Sequence, residues 1–538
     1  MVQLILGEKP LSLKDVYEVA VQNQPVELSA QAVSKIQTAH QFLIEKIKTG
    51  DTYYGVNTGF GLLSNVRISP EDLEGLQYNL IRSHACGMGT PIADRYVRAM
   101  LLLRAANLAM GHSGVSLQLV EQILLLLNRG VIPIVPEQGS VGASGDLAPL
   151  SHLALPLIGE GRAKFKGEEM SGSRALELAG IKPIRLGPKE GLALINGTQF
   201  MSAMGVLSLL DAEHLCDVAD LAGALSLEAL RGTSTAFDPL IHAVRPHPGQ
   251  VQVAQHLRWF VAPEEERSEI GKSHEACSRV QDPYSLRCIP QVHGATRDAL
   301  LFVRQVFERE INSATDNPLV FPHAGKILSG GNFHGQILAI GMDLLAISIA
   351  ELASISEQRI EKLVNPSTSG LPAFLTLKGG LNSGFMILQV TAASIVSENK
   401  TLCHPASVDS IPTSADKEDH VSMGAWSARK AAQVVNNARR VLLLELLSAA
   451  QGIHLLRPMR TTESLEKVLE LIRTRVRPLD GDRSYSEDFV AMEELLGSIE
   501  LRDLLQEAFV KARCDRSAES VLDVSFEKTP FQGSDAVH

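Results

Sequence analysis

The 538-residue sequence predicts a mainly α protein: a smaller N-terminal domain with glycine-rich active-site loops, then a long central helical bundle. Three observations carry that expectation. Aromatic residues make up 5% of the chain and hydrophobic residues 45%, with leucine and alanine prominent, whereas β-rich proteins lean on aromatic and β-branched side chains. Segments 199–231, 295–313, 334–363 and 426–452 are long, poor in breakers and apolar at helical spacing. In the last of them Val434, Ala438, Val441, Leu442 and Ala449 fall on one face. Helices of about 20–30 residues reach roughly 30–45 Å and bury one another in bundles, often across subunits.

Taken in order, residues 11–49 read as helical from Leu11 to Ile47, with Pro25 marking a break. Residues 50–70 are rich in Gly, Asn, Thr and Ser and read as a long loop. Helical pattern returns from Glu71 to about Ser83 and from Asp94 to Leu108. A short apolar run from Val131 to Val135 leads into a second glycine-rich stretch, Gly139 to Gly145. Segments 262–290, 312–333 and 403–424 are loops between the long helices, and the terminal EKTPFQGSDAVH reads as a frayed tail. The expected division is a mixed helix and loop domain over 1–200 and a long-helix bundle over 201–538. Long loops in a compact fold are more often functional than accidental, so chemistry is sought there.

Composition removes several function classes. Fifty Lys and Arg against 61 Asp and Glu give a net charge of −11, the wrong balance for a protein that must neutralise phosphates, so nucleic acid is not an expected partner. Cys86, Cys216, Cys277, Cys288, Cys403 and Cys514 lie far apart with no C-x-x-C pair, which signals neither a zinc framework nor a redox dithiol. The N-terminus MVQLILGEKP shows no export signal. The most apolar long stretch, Ile337 to Ile355, still carries Asp343 and Glu351 and suits a buried helix better than a membrane span. The expectation is a cytoplasmic protein without membrane contact.

The strongest motif is Gly139-Ser-Val-Gly-Ala143-Ser144-Gly145-Asp146-Leu-Ala-Pro-Leu-Ser-His152. Its glycines are not spaced as G-x-G-x-x-G, and no Gly-Lys-Ser/Thr completes a phosphate loop. A tight turn opening a helix at Asp146 is the ordinary use of such a stretch. The alternative is chemical. An Ala-Ser-Gly held in a compressed turn can cyclise, the Gly145 nitrogen attacking the Ala143 carbonyl, because glycine has no Cβ to obstruct the approach. Loss of water, including the Ser144 hydroxyl, then leaves an exocyclic methylene on the ring. The product is 4-methylideneimidazol-5-one, an electrophile that no ordinary side chain supplies.

This segment closely resembles the prosthetic-group segment of the aromatic amino acid ammonia-lyases and aminomutases. Tyr54-Gly-Val-Asn57-Thr-Gly59-Phe-Gly61 is similar to that family's catalytic tyrosine loop, and Gly191-Leu-Ala-Leu-Ile-Asn196-Gly-Thr to its asparagine segment. Gln281-Asp-Pro-Tyr284-Ser-Leu-Arg287, Gly331-Asn-Phe333-His334-Gly and Glu418-Asp-His420-Val-Ser-Met423-Gly complete the set. The matches run in family order from Tyr54 to Gly424, 371 of 538 positions. Singly, each residue has an ordinary structural use: Tyr54 as loop packing, Arg287 as a surface ion-pair partner, His84 as a helix-end histidine. Their joint occurrence with Ala143-Ser144-Gly145 sets them apart.

The resemblance implies a lyase whose cofactor is made from Ala143, Ser144 and Gly145, with no metal, nucleotide or pyridoxal phosphate. It implies an amino acid substrate and a homotetramer. Tyr54 becomes the base that removes a β proton; a free phenol titrates near ~10, so the site must favour the phenolate. Arg287 becomes the clamp on the substrate carboxylate. Asn196, Tyr284 and Gln281 orient the substrate and hold the loop, and Phe333 packs near the prosthetic ring. Within the family, Ser83-His84, Glu418 and the stretch 404–415 point to L-histidine as substrate and trans-urocanate as product. A carboxylate facing an imidazole makes a charge-assisted hydrogen bond, whereas beside a phenyl ring it stands unpaired. A tyrosine or phenylalanine lyase, or a tyrosine 2,3-aminomutase, is the alternative on the same scaffold, and a non-catalytic helical scaffold needs neither Tyr54 nor the triplet. Lys417 departs from the glutamine expected there, and segment 262–278 resembles an insertion.

Overall fold

The structure, a computed structural model, describes residues 3–49, 51–263, 266–274 and 280–514. The tail predicted over 527–538 lies outside the described residues, as does part of segment 262–278. Five helices dominate the fold: Gln199–Ala229, Ile289–Glu310, Gln336–Val364, Met386–Leu402 and Gly424–Leu455. Four of them answer the long apolar segments, to within a few residues except at the start of Ile289–Glu310. The helix Gln199–Ala229 has 31 residues, roughly 46 Å of length. It is apolar nearly all round and correspondingly buried nearly all round.

The chain groups into two compact units. The first comprises residues up to Glu213 with 299–350 and 398–436; the second comprises 214–298, 351–397 and the described residues from 437 onward. In the first unit the Pro25 break is real. The helix Leu13–Gln22 opens on a capping box between Ser12 and Asp15 and closes on Asn23 in the left-handed conformation. Val26–Leu28 then pairs in parallel with Leu4–Leu6 before Ser29 caps the helix Ala30–Lys48. The helix Asp94–Ala109 runs through the core of this unit, packed by Leu13–Gln22 and Leu117–Arg129. The remaining strands are short. Met88–Pro91 pairs with Pro136–Gln138, Val131–Pro133 joins the hairpin Arg162–Phe165 and Glu168–Ser171, and Leu319–Phe321 pairs with Lys326–Leu328. That last hairpin occupies the middle of the stretch expected to be a loop, 312–333.

In the second unit, two clusters of charged groups inside the bundle are paired. Arg359 and Glu445, both fully buried, share two hydrogen bonds of 2.5 and 2.8 Å. Asp220 accepts from His256 and His293 at 2.8 Å each and from Arg297 at 2.6 Å. Burial alone would raise that carboxyl's pKa; Arg297 and the two imidazoles overcome it and hold it far below the carboxylate range. The helix Gln336–Val364 has the length and apolarity of a membrane span. Its buried Asp343, which accepts from Ser407 N at 2.8 Å and faces Lys430 at 3.4 Å, marks it instead as a core helix.

Candidate active site

Five of the predicted site residues, Tyr54, His84, Ser144, Asn196 and Glu418, line one cavity of about 790 Å³ in the first unit. Five separate segments deliver them. Tyr54 sits on the polar loop, whose composition serves as its own scaffolding: Asn57 accepts from Tyr53 N at 2.8 Å and donates to Asp51 O at 2.8 Å, and Thr58 accepts from Gly55 N at 3.0 Å. The Tyr54 ring meets Phe60 edge-on at 6.3 Å, and Gly61 N–H points at its hydroxyl oxygen from 3.5 Å.

His84 ends the helix Leu73–His84. Its Nδ1 lies 2.8 Å from the Leu80 carbonyl and must donate to it, so the neutral ring offers Nε2 as an acceptor. Burial lowers its pKa, opposed by the Leu80 carbonyl and by Glu418. Glu418 is held by a tight turn in which Ser414, Ala415 and Asp416 all have positive φ (52, 53 and 61°). The turn brings Thr413 Oγ1 to 2.6 Å and Ser414 Oγ to 2.9 Å from Glu418 Oε2, while Ser144 Oγ donates to Oε1 at 2.6 Å. Burial would push this carboxyl's pKa up; these donors and His84 outweigh it and keep it below the usual range, hence ionised.

The Ala143-Ser144-Gly145 turn is clamped on both sides. Upstream, Met423 N donates to Val141 O at 2.8 Å and Ser422 Oγ to Gly142 O at 3.1 Å. Downstream, Asp146 N donates to Gly197 O at 2.7 Å. Asp146 is fully buried and accepts from Phe200 N, Met201 N and Ser140 Oγ, and burial nevertheless pushes its pKa up to about 7. Gly145 has φ +71°, and a Cβ there would lie 2.1 Å from the Gly197 carbonyl oxygen, so no other residue fits. Asn196 Nδ2 donates to Ser144 O at 3.0 Å, while Asn196 Oδ1 is buried without a hydrogen-bond partner. Ala143 is buried, and Ser144 reaches the cavity.

The other predicted residues are not among those lining the cavity. Gln281, Tyr284 and Arg287 belong to the second unit. There the Arg287 guanidinium stacks 4.3 Å from the ring of Tyr284, itself 70% exposed. Phe333 is half-buried in the first unit beside His334, whose Nε2 lies 3.2 Å from His420 O. Among the described residues no group of three or more metal-ligating side chains converges. Lys417 is exposed. Sequence reasoning did not single out Thr413 and Ser414 as the residues that hold Glu418, although the stretch 404–415 containing them was marked.

A clamped Ala-Ser-Gly turn thus opens on a cavity lined by a phenol, an imidazole and a carboxylate. Residues 11–474 match the family described as Aromatic amino acid lyase, and the chain belongs to that family; it is an enzyme, a lyase. Similar proteins include histidine ammonia-lyase of Myxococcus xanthus, 52% identical over 500 residues, covering 93% of this chain and 97% of that one. Histidine ammonia-lyase of Sorangium cellulosum is 52% identical over 514 residues, covering 94% and 99%. Among solved structures, histidine ammonia-lyase from Trypanosoma cruzi superimposes with a TM-score of 0.88 at 44% identity, covering 99% of this chain and 100% of that one.

Proposed function

We propose that the enzyme eliminates ammonia from L-histidine to give trans-urocanate, with 4-methylideneimidazol-5-one formed from Ala143, Ser144 and Gly145 as its electrophile. The observation that carries the reading is the ionised Glu418 carboxylate beside neutral His84 in the Ser144 cavity; relatives named for histidine, about half identical over nearly the whole chain, support it. The residues fit the prosthetic group. Hydrogen bonds on both flanks compress the triplet, Gly145 is the one residue its position admits, and Asn196 Nδ2 donates to the Ser144 carbonyl. When formed, the group supplies an electrophilic methylene that draws electron density from the amine or ring of the substrate.

The chain's own side chains do the rest. His84 Nε2 and Glu418 accept N–H groups from the substrate imidazole and orient it. Tyr54 Oη takes the β proton while the amine departs, and Gly61 N–H faces that oxygen. Arg287 pairs the substrate carboxylate, with Tyr284 and Gln281 alongside, and Phe333 packs near the ring. Residues 1–200 thus contribute the base and the prosthetic loop, and 201–538 the long helices and substrate-binding loops. The enzyme works in the cytoplasm without nucleic acid or membrane partners. A side-by-side product assay with L-His, L-Tyr and L-Phe tests the reading: urocanate formed in clear preference supports it, and a β-amino acid or coumarate as main product replaces it with the aminomutase or tyrosine-lyase reading.

Two further outcomes are expected. The enzyme is a homotetramer whose sites draw loops from more than one subunit, because Tyr284, on which Arg287 stacks, stands exposed on a unit rich in long apolar helices. Light scattering coupled to activity checks this, and a fully active monomer contradicts it. Prolonged chelation leaves the rate unchanged, since the electrophile is made from the chain. Activity lost to a chelator and restored by a divalent ion counts against it.

A further inference from the structure

One buried cation has no place in the mechanism above. Arg104, in the middle of the core helix Asp94–Ala109, is fully buried, a position where an unpaired charge is costly. Among the described residues its guanidinium donates to no carboxylate. The buried Asp316 is taken up by Lys189, 2.6 Å away. Burial lowers the Arg104 pKa to about 10, so the guanidinium remains charged at neutral pH. Neutral oxygens solvate it instead. Nη1 donates to Asn196 O and to Gln199 Oε1, both at 2.8 Å, and Nη2 to Asn107 Oδ1 at 2.7 Å. Asn107 and Gln199 are tied in turn to Thr315 Oγ1 at 3.3 and 3.0 Å. The guanidinium lies where a side chain on residue 197 would be: a Cβ on Gly197 would sit 2.5 Å from Arg104 Nη1. All of this converges on one peptide. Asn196 holds the Ser144 carbonyl through its side chain, and Gly197 holds the Asp146 N–H through its own carbonyl.

We propose that Arg104 is a positioning residue that fixes the Asn196–Gly197 peptide and thereby compresses Ala143-Ser144-Gly145 for ring closure. The proposal rests on the reading that this triplet cyclises. A charged donor suits the role because its hydrogen bonds are stronger than neutral ones, and because the planar fork reaches two partners from one nitrogen and a third from the other. Lysine cannot reproduce that geometry.

Cyclisation with dehydration removes two waters from the chain, so mass spectrometry of the peptide carrying residues 143–145 counts converted chains without any activity measurement. The full-length wild type, Arg104→Met, Arg104→Lys and the double variant Arg359→Met/Glu445→Leu are compared over time after synthesis. The double variant removes a different buried ion pair and reports general destabilisation. Wild type and the double variant are expected to convert fully, Arg104→Met to convert at least about tenfold more slowly, and Arg104→Lys to fall between. Conversion of Arg104→Met at the wild-type rate, or equal slowing in the double variant, overturns the proposal. Should Arg104→Met fail to fold, Arg104→Lys carries the same decision. A wild type that loses no water refutes the prosthetic-group reading instead, which keeps the two failures distinct.

Discussion

Ser144→Ala is expected to fold and assemble like the wild type and to turn over L-histidine at less than about a thousandth of its rate, a loss of roughly 4 kcal/mol or more of transition-state stabilisation. Without the β hydroxyl there is nothing to eliminate, and the methylene that the proposed mechanism needs cannot form. The structural cost is small by comparison. Alanine removes one donor, 2.6 Å from Glu418 Oε1, at a half-buried position that water can reach. The hydrogen bonds that hold the turn, from Met423, Ser422, Asn196 and Asp146, involve backbone carbonyls that alanine leaves in place. Circular dichroism and light scattering check the fold, a near-ultraviolet difference spectrum against wild type checks the chromophore, and a urocanate assay checks the rate. Near-wild-type turnover by this variant defeats the electrophile and the mechanism together.

Glu418→Ala is expected to lower kcat/KM for L-histidine by about ten- to a hundredfold, the worth of a charge-assisted hydrogen bond of roughly 1.5–3 kcal/mol. Residual activity on L-phenylalanine should fall less, because an ionised carboxylate gains nothing from a phenyl ring and loses solvation beside it. The preference for histidine over phenylalanine should therefore shrink. The ratio is the sharper measurement, since truncation also releases Thr413 and Ser414 and so disturbs the turn for every substrate alike. Both substrates are measured with both proteins at one pH. An unchanged ratio removes Glu418 from substrate recognition, and a wild type that prefers L-tyrosine removes histidine.

The long helices and the site loops were legible in the sequence for opposite reasons. Helices such as Gln199–Ala229 and Gly424–Leu455 show because uninterrupted apolar residues must bury one another. The loops that carry Tyr54, Ser144, Asn196 and Glu418 show because glycine and small polar residues stand out against that background. The helix Met386–Leu402 and the helices Glu463–Arg475 and Ile499–Cys514 were not anticipated. Strands of three or four residues, such as Leu319–Phe321, are too short to establish an alternation. The turn that presents Glu418 gives little warning, since Ser414, Ala415 and Asp416 adopt positive φ without a glycine among them. Arg104 is inconspicuous for another reason: in the stretch MLLLRAANLAM only its charge departs from the helical pattern, and the oxygens it gathers come from distant parts of the chain.

The two oxygens of Glu418 are not equivalent. Oε2 is secured by Thr413 and Ser414, neighbours in the same turn, whereas among the described residues Oε1 is engaged only by the Ser144 hydroxyl. On the proposed chemistry that hydroxyl is the one that departs as the ring is made. The newborn chain therefore keeps its specificity acceptor occupied, and the event that creates the reactive group also vacates it. Recognition and reactivity come of age together, so an immature chain neither transforms histidine nor grips it with both acceptors. Ser144→Ala breaks that synchrony: it clears Oε1 without making the ring, and so separates holding a substrate from changing it.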